Sequence, residues 1–112
     1  MYKMYNLIPS DLYKTDLRDI IYYIKRNLSN PIAASNLLDD LSDKLNHIKL
    51  MPYSRPFVRN DNLAKLGYRS IHVNNYTLFY FIRGETVYLE RFLPSQRDWT
   101  NILKDDLEDE DS

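Results

Sequence analysis

Three arginines and two tyrosines, Arg69, Arg91, Arg97, Tyr76 and Tyr80, are the residues of this chain whose types and spacing could do chemistry. A guanidinium is a permanently charged, fixed fork of donors that fits a phosphate, while a phenol can stack on a base or hand over a proton. Together they could hold a phosphate and manage a proton beside it. Upstream, Arg55, Arg59 and Lys65 add positive charge suited to binding RNA. The plainer alternative is that Arg69 and Arg91 pair with acids at strand ends or lay their stems along the core.

Other chemistries find no support. With only two glycines and no cysteine there is no Gly-rich phosphate loop and no thiolate cluster. No His-x-x-x-His pair and no Ser-His-acid spacing stands out, so neither a metal nor a cofactor is expected. His47 falls on a predicted helix and His72 on a predicted strand, and both read as surface or partly buried residues with satisfied rings.

The candidate residues depend on the stretch 67–99, which reads as three antiparallel strands in a row. Asn74-Asn75 lies between Val73 and Tyr76, and Gly84-Glu85 between Arg83 and Thr86. Both are two-residue hairpin loops: Asn tolerates the positive φ that a type I′ turn needs at both central positions, and Gly at the first position suits type II′. Counting outward pairs Val73 with Tyr76, Ile71 with Leu78 and Arg69 with Tyr80, then Tyr80 with Leu89, Leu78 with Arg91 and Tyr76 with Leu93. Alternation then places Arg69, Tyr76, Tyr80 and Arg91 on one face. The middle strand is apolar on both sides, so it should be central and covered on both faces.

The rest of the chain supplies the cover. Residues 1–8, apolar-rich and ended by Pro9, suit a strand added beside the C-terminal ones. Ser10 is a good N-cap, and Leu17, Ile20, Ile21, Ile24 and Leu28 recur at helical spacing, predicting a helix over 11–27. Asn30-Pro31 caps and starts a second helix with the stripe Ala34, Leu37, Leu38, Leu41, Leu45 and Ile48, ending near Leu50. The two form a hairpin on one face of the sheet. Residues 51–66 show no period and read as a basic connecting loop, residues 98–103 as a short C-terminal helix, and the acidic run that follows as disordered.

One α+β domain over 1–103 with an acidic tail over 104–112 is therefore expected. At 112 residues and 44% hydrophobic content the chain can bury one modest core. Its formal net charge of -1 hides an asymmetry: without Lys104 and the six acids after Leu103, 14 of the 15 basic but only 10 of the 16 acidic residues remain. Such a body hints at an anionic partner, and the tail either stays solvated or folds back over the basic face. Ten tyrosines suit a recognition surface, although most would rim the core. The absence of cysteine, of a signal peptide and of any membrane-length apolar run points to a cytoplasmic protein.

The order strand, helix, helix, three strands resembles the RelE/ParE superfamily of type II toxin-antitoxin toxins. So do Asp16-Leu17, Ile20 and Tyr23-Ile24 on the first helix, Gly67-Tyr68-Arg69 with Ile71 and Val73, Asn75-Tyr76 with Leu78-Phe79-Tyr80, and the closing Val87, Leu89, Arg91, Leu93 and Arg97-Asp98-Trp99. The resemblance implies a growth-inhibiting toxin silenced by a cognate antitoxin whose amphipathic segment lies on the helical hairpin or adds a strand to the sheet. RelE-like members are endoribonucleases, mRNA interferases that cut messenger RNA on the ribosome without a metal. ParE-like members poison DNA gyrase without such a residue set. A third possibility is an inactive relative that only binds its antitoxin. Ribosome-dependent cleavage by Arg69, Arg91 and Arg97 with Tyr76 or Tyr80 is the first expectation, and gyrase inhibition the alternative. Two departures bear on that choice. Thr77 stands where RelE-like nucleases place a strand arginine, and Pro94 where many carry a histidine.

Overall fold

The computed structural model describes residues 3–96 and 99–111, the last five as backbone only. Strand β1 (Asn6–Pro9) leads into helix α1 (Asp11–Arg26), which is followed by α2 (Pro31–Leu50). A 3-10 turn (Pro52–Ser54) and a short helix α3 (Asp61–Lys65) precede strands β2 (Arg69–Val73), β3 (Tyr76–Arg83) and β4 (Thr86–Pro94), and helix α4 (Trp99–Asp111) closes the chain. Among the described residues no helix is long and apolar enough to cross a membrane.

The helix starts follow from local chemistry. The Ser10 hydroxyl accepts the Tyr13 N–H at 3.0 Å and donates to the Glu90 carbonyl at 2.8 Å, so one side chain both caps α1 and ties it to β4. Asn30 caps α2 by accepting the Ala33 N–H, with Pro31 at the first helical position. The segment read as an unstructured basic loop instead holds the 3-10 turn and α3, which Asn60 caps through the Leu63 N–H. Its signal was a lone Asn cap without an apolar period long enough to register.

The strands form one mixed sheet in the order β1-β4-β3-β2, with β1 parallel to β4 and both hairpins antiparallel. As expected, β3 lies inside the sheet and is covered on both faces. On one side α1 and α2 bury Ile24, Leu37, Leu41 and Ile48 against Ile71, Leu78, Tyr80, Val87, Leu89 and Phe92. On the other, Val58, Leu63 and Leu103 close over Tyr68, Phe79 and Leu93. In each hairpin loop only the first central residue has a positive φ, Asn74 at 53° and Gly84 at 59°. That pattern belongs to type II′, so Asn74-Asn75 does not make the type I′ turn that its composition suggested.

The β2–β3 register is the expected one, from Val73↔Tyr76 to Arg69↔Tyr80. The β3–β4 register is not. Tyr80 faces Leu89 as counted, but a bulge follows and Phe79 faces Arg91, Leu78 faces Phe92 and Tyr76 faces Pro94. Glu90 is the extra residue, and beyond it every β4 side chain changes sides. The expectation of disorder after Leu103 is also corrected: α4 continues to Asp111.

Candidate functional site

The bulge divides the site that the sequence suggested. Up to Leu89, odd-numbered residues of β4 face the α1/α2 layer; past Glu90, Phe92 takes that side while Arg91 and Leu93 face the α4 layer. Arg69, on the helix side of β2, is separated from Arg91 by the full width of β3, and the two lie on opposite faces. The pairing of Arg69 and Arg91 on one surface is thus overturned.

Arg91 has its own acidic partners. β1 ends at Pro9, so the next stretch of β4 has no strand beside it, and Asp16 of α1 occupies that edge. Its carboxylate accepts from Arg91 Nε at 2.7 Å, from Arg91 Nη2 at 2.8 Å and from the Phe92 N–H at 3.0 Å. It therefore replaces a strand partner for the backbone while it neutralises the guanidinium. Asp106, in the run read as a solvated tail, takes Nη1 at 3.0 Å from the other layer. The hydrogen bond to Asp16, opposed by burial and reinforced by Asp106, raises the Arg91 pKa above the ordinary arginine range. With two carboxylates on one guanidinium, little charge is left over for a phosphate.

Arg69 sits among aromatic and backbone groups. It donates to the Arg55 carbonyl, and its guanidinium lies 4.0 Å from the Phe57 ring centre and 5.3 Å from that of Tyr53. Opposite it, Tyr80 is fully buried and donates its hydroxyl to the Pro52 carbonyl at 2.8 Å. Burial pushes the phenol up to about 12, with the charges of Arg69 and Arg55 opposing. A phenol so placed has no route to a substrate.

Tyr76 remains at the surface, half-buried and stacked on Phe92 at 5.4 Å. Its pKa is raised by burial and by neighbouring Tyr23. Tyr76, Tyr23 and Pro94 form the floor of an open groove that runs from Asp16 and Asp19 to His72 and Gln96. Around the strand on the opposite face lies a smaller cleft of about 260 Å³, into which Arg59, Ser70, His72 and Trp99 project. There the Thr77 hydroxyl joins His72 Nδ1 at 3.3 Å and Ser95 Oγ at 2.7 Å. Of the residues assigned to RNA binding, Arg59 lines this cleft, Lys65 is exposed on α3 and Arg55 belongs to the Arg69 cluster, so the three do not converge. Arg97 lies outside the described residues.

Sequence reasoning missed Asp16, Asp106 and Ser95 as partners. Asp16 did stand in the first-helix pattern, where a lone acid among apolar residues was the available signal. Nothing local marked Asp106 within its acidic run.

The sequence matches the family described as ParE toxin of type II toxin-antitoxin system, parDE, over residues 7–99. No curated protein matches it. Among solved structures it is similar to a chain of the chromosomal ParDE toxin-antitoxin system from P. aeruginosa, with a TM-score of 0.65 and 14% identity over 84% of this chain and 99% of that one.

Proposed function

Because this chain belongs to the ParE toxin family of type II toxin-antitoxin systems, we propose that it inhibits growth by binding DNA gyrase and performs no chemistry of its own. The observation that carries the reading is the separation of Arg69 from Arg91, together with the capture of Arg91 by Asp16 and Asp106. Metal-free cleavage of a phosphodiester needs several positive groups converging on one phosphate and a proton carrier within hydrogen-bond reach. Among the described residues, the arginines diverge and Tyr80 is spent on Pro52. The toxin domain of residues 1–103 is then completed by α4, since Asp106 closes the β4 edge.

A supercoiling assay with purified gyrase tests this: inhibition at near-stoichiometric toxin is expected, and full activity under a large toxin excess rejects it. The second reading, ribosome-dependent mRNA cleavage, draws on the cleft where an imidazole, two hydroxyls and Arg59 meet. Mapping messenger ends on ribosomes incubated with toxin decides it. If overexpression leaves growth unchanged, the chain is instead an antitoxin-binding relative without toxicity.

The cognate antitoxin is proposed to cover the outer face of α1. Tyr13, Leu17, Ile21 and Tyr22 form an open apolar groove there, framed by Lys14, Arg18 and Lys25. An amphipathic helix with acidic flanks complements both features.

A further inference from the structure

A cation-and-ring ladder runs from the chain's N-terminal segment across the 3-10 turn to the start of β2. The Lys3 ammonium, ion-paired to Glu85, lies 5.8 Å from the Tyr5 ring centre, and Tyr5 meets Tyr53 edge-on at 6.2 Å. Arg69 then sits over Tyr53 at 5.3 Å and over Phe57 at 4.0 Å. Two of these rings are turned to solvent, Tyr53 at 58% and Phe57 at 49% exposure. Unlike Arg91, neither Arg69 nor Arg55 has a carboxylate partner among the described residues. The Arg55 Nε is buried without any hydrogen-bond partner.

Two neighbouring arginines without an acid between them leave positive charge that an anion would neutralise, and a polar N–H buried without a partner shows that the fold itself does not satisfy Arg55. Exposed rings flanking such a charge offer flat faces on which a base can stack. We propose that this ladder binds single-stranded nucleic acid, with bases stacking on Tyr53 and Phe57 and phosphates held by Arg69 and Arg55. Duplex DNA offers phosphates but keeps its base faces stacked inside, so it meets only half of the site. An acidic peptide satisfies the guanidiniums but leaves the rings uncovered. The ladder starts beside Tyr5 on the helix-layer side of the sheet, and Phe57 at its far end also lines the cleft of His72 and Thr77. The binding it predicts is read directly and does not depend on which target the toxin poisons.

The test is fluorescence anisotropy of the full chain with labelled dT12, rU12, a 12-base-pair duplex and a polyglutamate peptide, at about 25 and 200 mM salt. The single strands are expected to bind more tightly than the duplex and to weaken with salt, and the dT12 to rU12 ratio tells DNA from RNA as the ligand. Tyr53→Ala and Phe57→Ala should each lower single-strand affinity about tenfold, and Tyr53→Trp should retain it. Circular dichroism and thermal melting of each variant establish that it is folded. No single-strand binding at low salt, unchanged affinity in both folded alanine variants, or polyglutamate binding as tight as dT12 would overturn the proposal.

Discussion

The Arg91 guanidinium and the Asp16 carboxylate meet in a two-point contact, 2.7 and 2.8 Å, across an edge of β4 that no strand covers. Both side chains are largely removed from solvent, with 13% and 11% of their surface exposed. A pair of this kind matters most when half of it is removed, because the remaining charge stays behind without its partner.

Asp16→Ala should therefore cost about 3 kcal/mol of stability, as Arg91 keeps only Asp106 and the Phe92 N–H loses its acceptor. Urea denaturation measures the loss. A variant within 0.5 kcal/mol of the parent, a margin typical of plain surface substitutions, would mean that the contact is incidental.

Asp106→Ala should cost less, about 1 kcal/mol, since Asp16 still neutralises Arg91. Because both acids act on one guanidinium, the double variant should depart from additivity, which a double-mutant cycle reads directly. Strict additivity would argue against a shared partner.

Alkaline pH should unfold the protein. Burial raises both Tyr80 and Tyr13 to about 12 from an ordinary phenol value of 10.0. A folded-state pKa above the unfolded one means that the stabilisation is fully present below pH 10 and is lost as pH rises through 12. Each phenol contributes on the order of 2 kcal/mol over that window. Thermal midpoints from pH 8 to 11.5 should fall, and Tyr80→Phe should fall less steeply above pH 10.

His72→Ala separates the two functional readings, with Tyr80→Phe as the control. Losing the hydrogen bond to the Pro52 carbonyl should cost about 1 kcal/mol, yet growth inhibition should persist in Tyr80→Phe on either reading. His72→Ala should leave toxicity intact if the toxin acts by binding. Loss of toxicity in the folded His72 variant, scored by plating after induction, would favour cleavage.

At the hairpin loops, Gly84→Ala should cost about 1 kcal/mol although no atom lies within 4 Å of the added methyl, because φ there is 59°. Asn74→Gly, at φ 53°, should be neutral or slightly stabilising. Thermal melting compares both with the parent.

Most of the fold was written locally. Ser10, Asn30-Pro31, the apolar stripes and two dipeptide loops specify their elements through contacts within a few residues, so α1, α2, both hairpins and the β2–β3 register could be read from the chain. Pro9 and the apolar run before it likewise foretold β1, and the resemblance to RelE/ParE toxins agreed with the family match. The candidate site was legible only as a set of residue types. Its geometry turned on Glu90, one extra residue that no turn signal announces and that reverses the facing of everything after it. Only the tertiary structure decided that Arg91 belongs to Asp16, 75 positions away, and to Asp106 in an acidic run that by composition should have stayed in water. Side-chain alternation carries a counting error of one residue to the end of the strand, and ion pairs form by distance in space, which sequence separation does not encode.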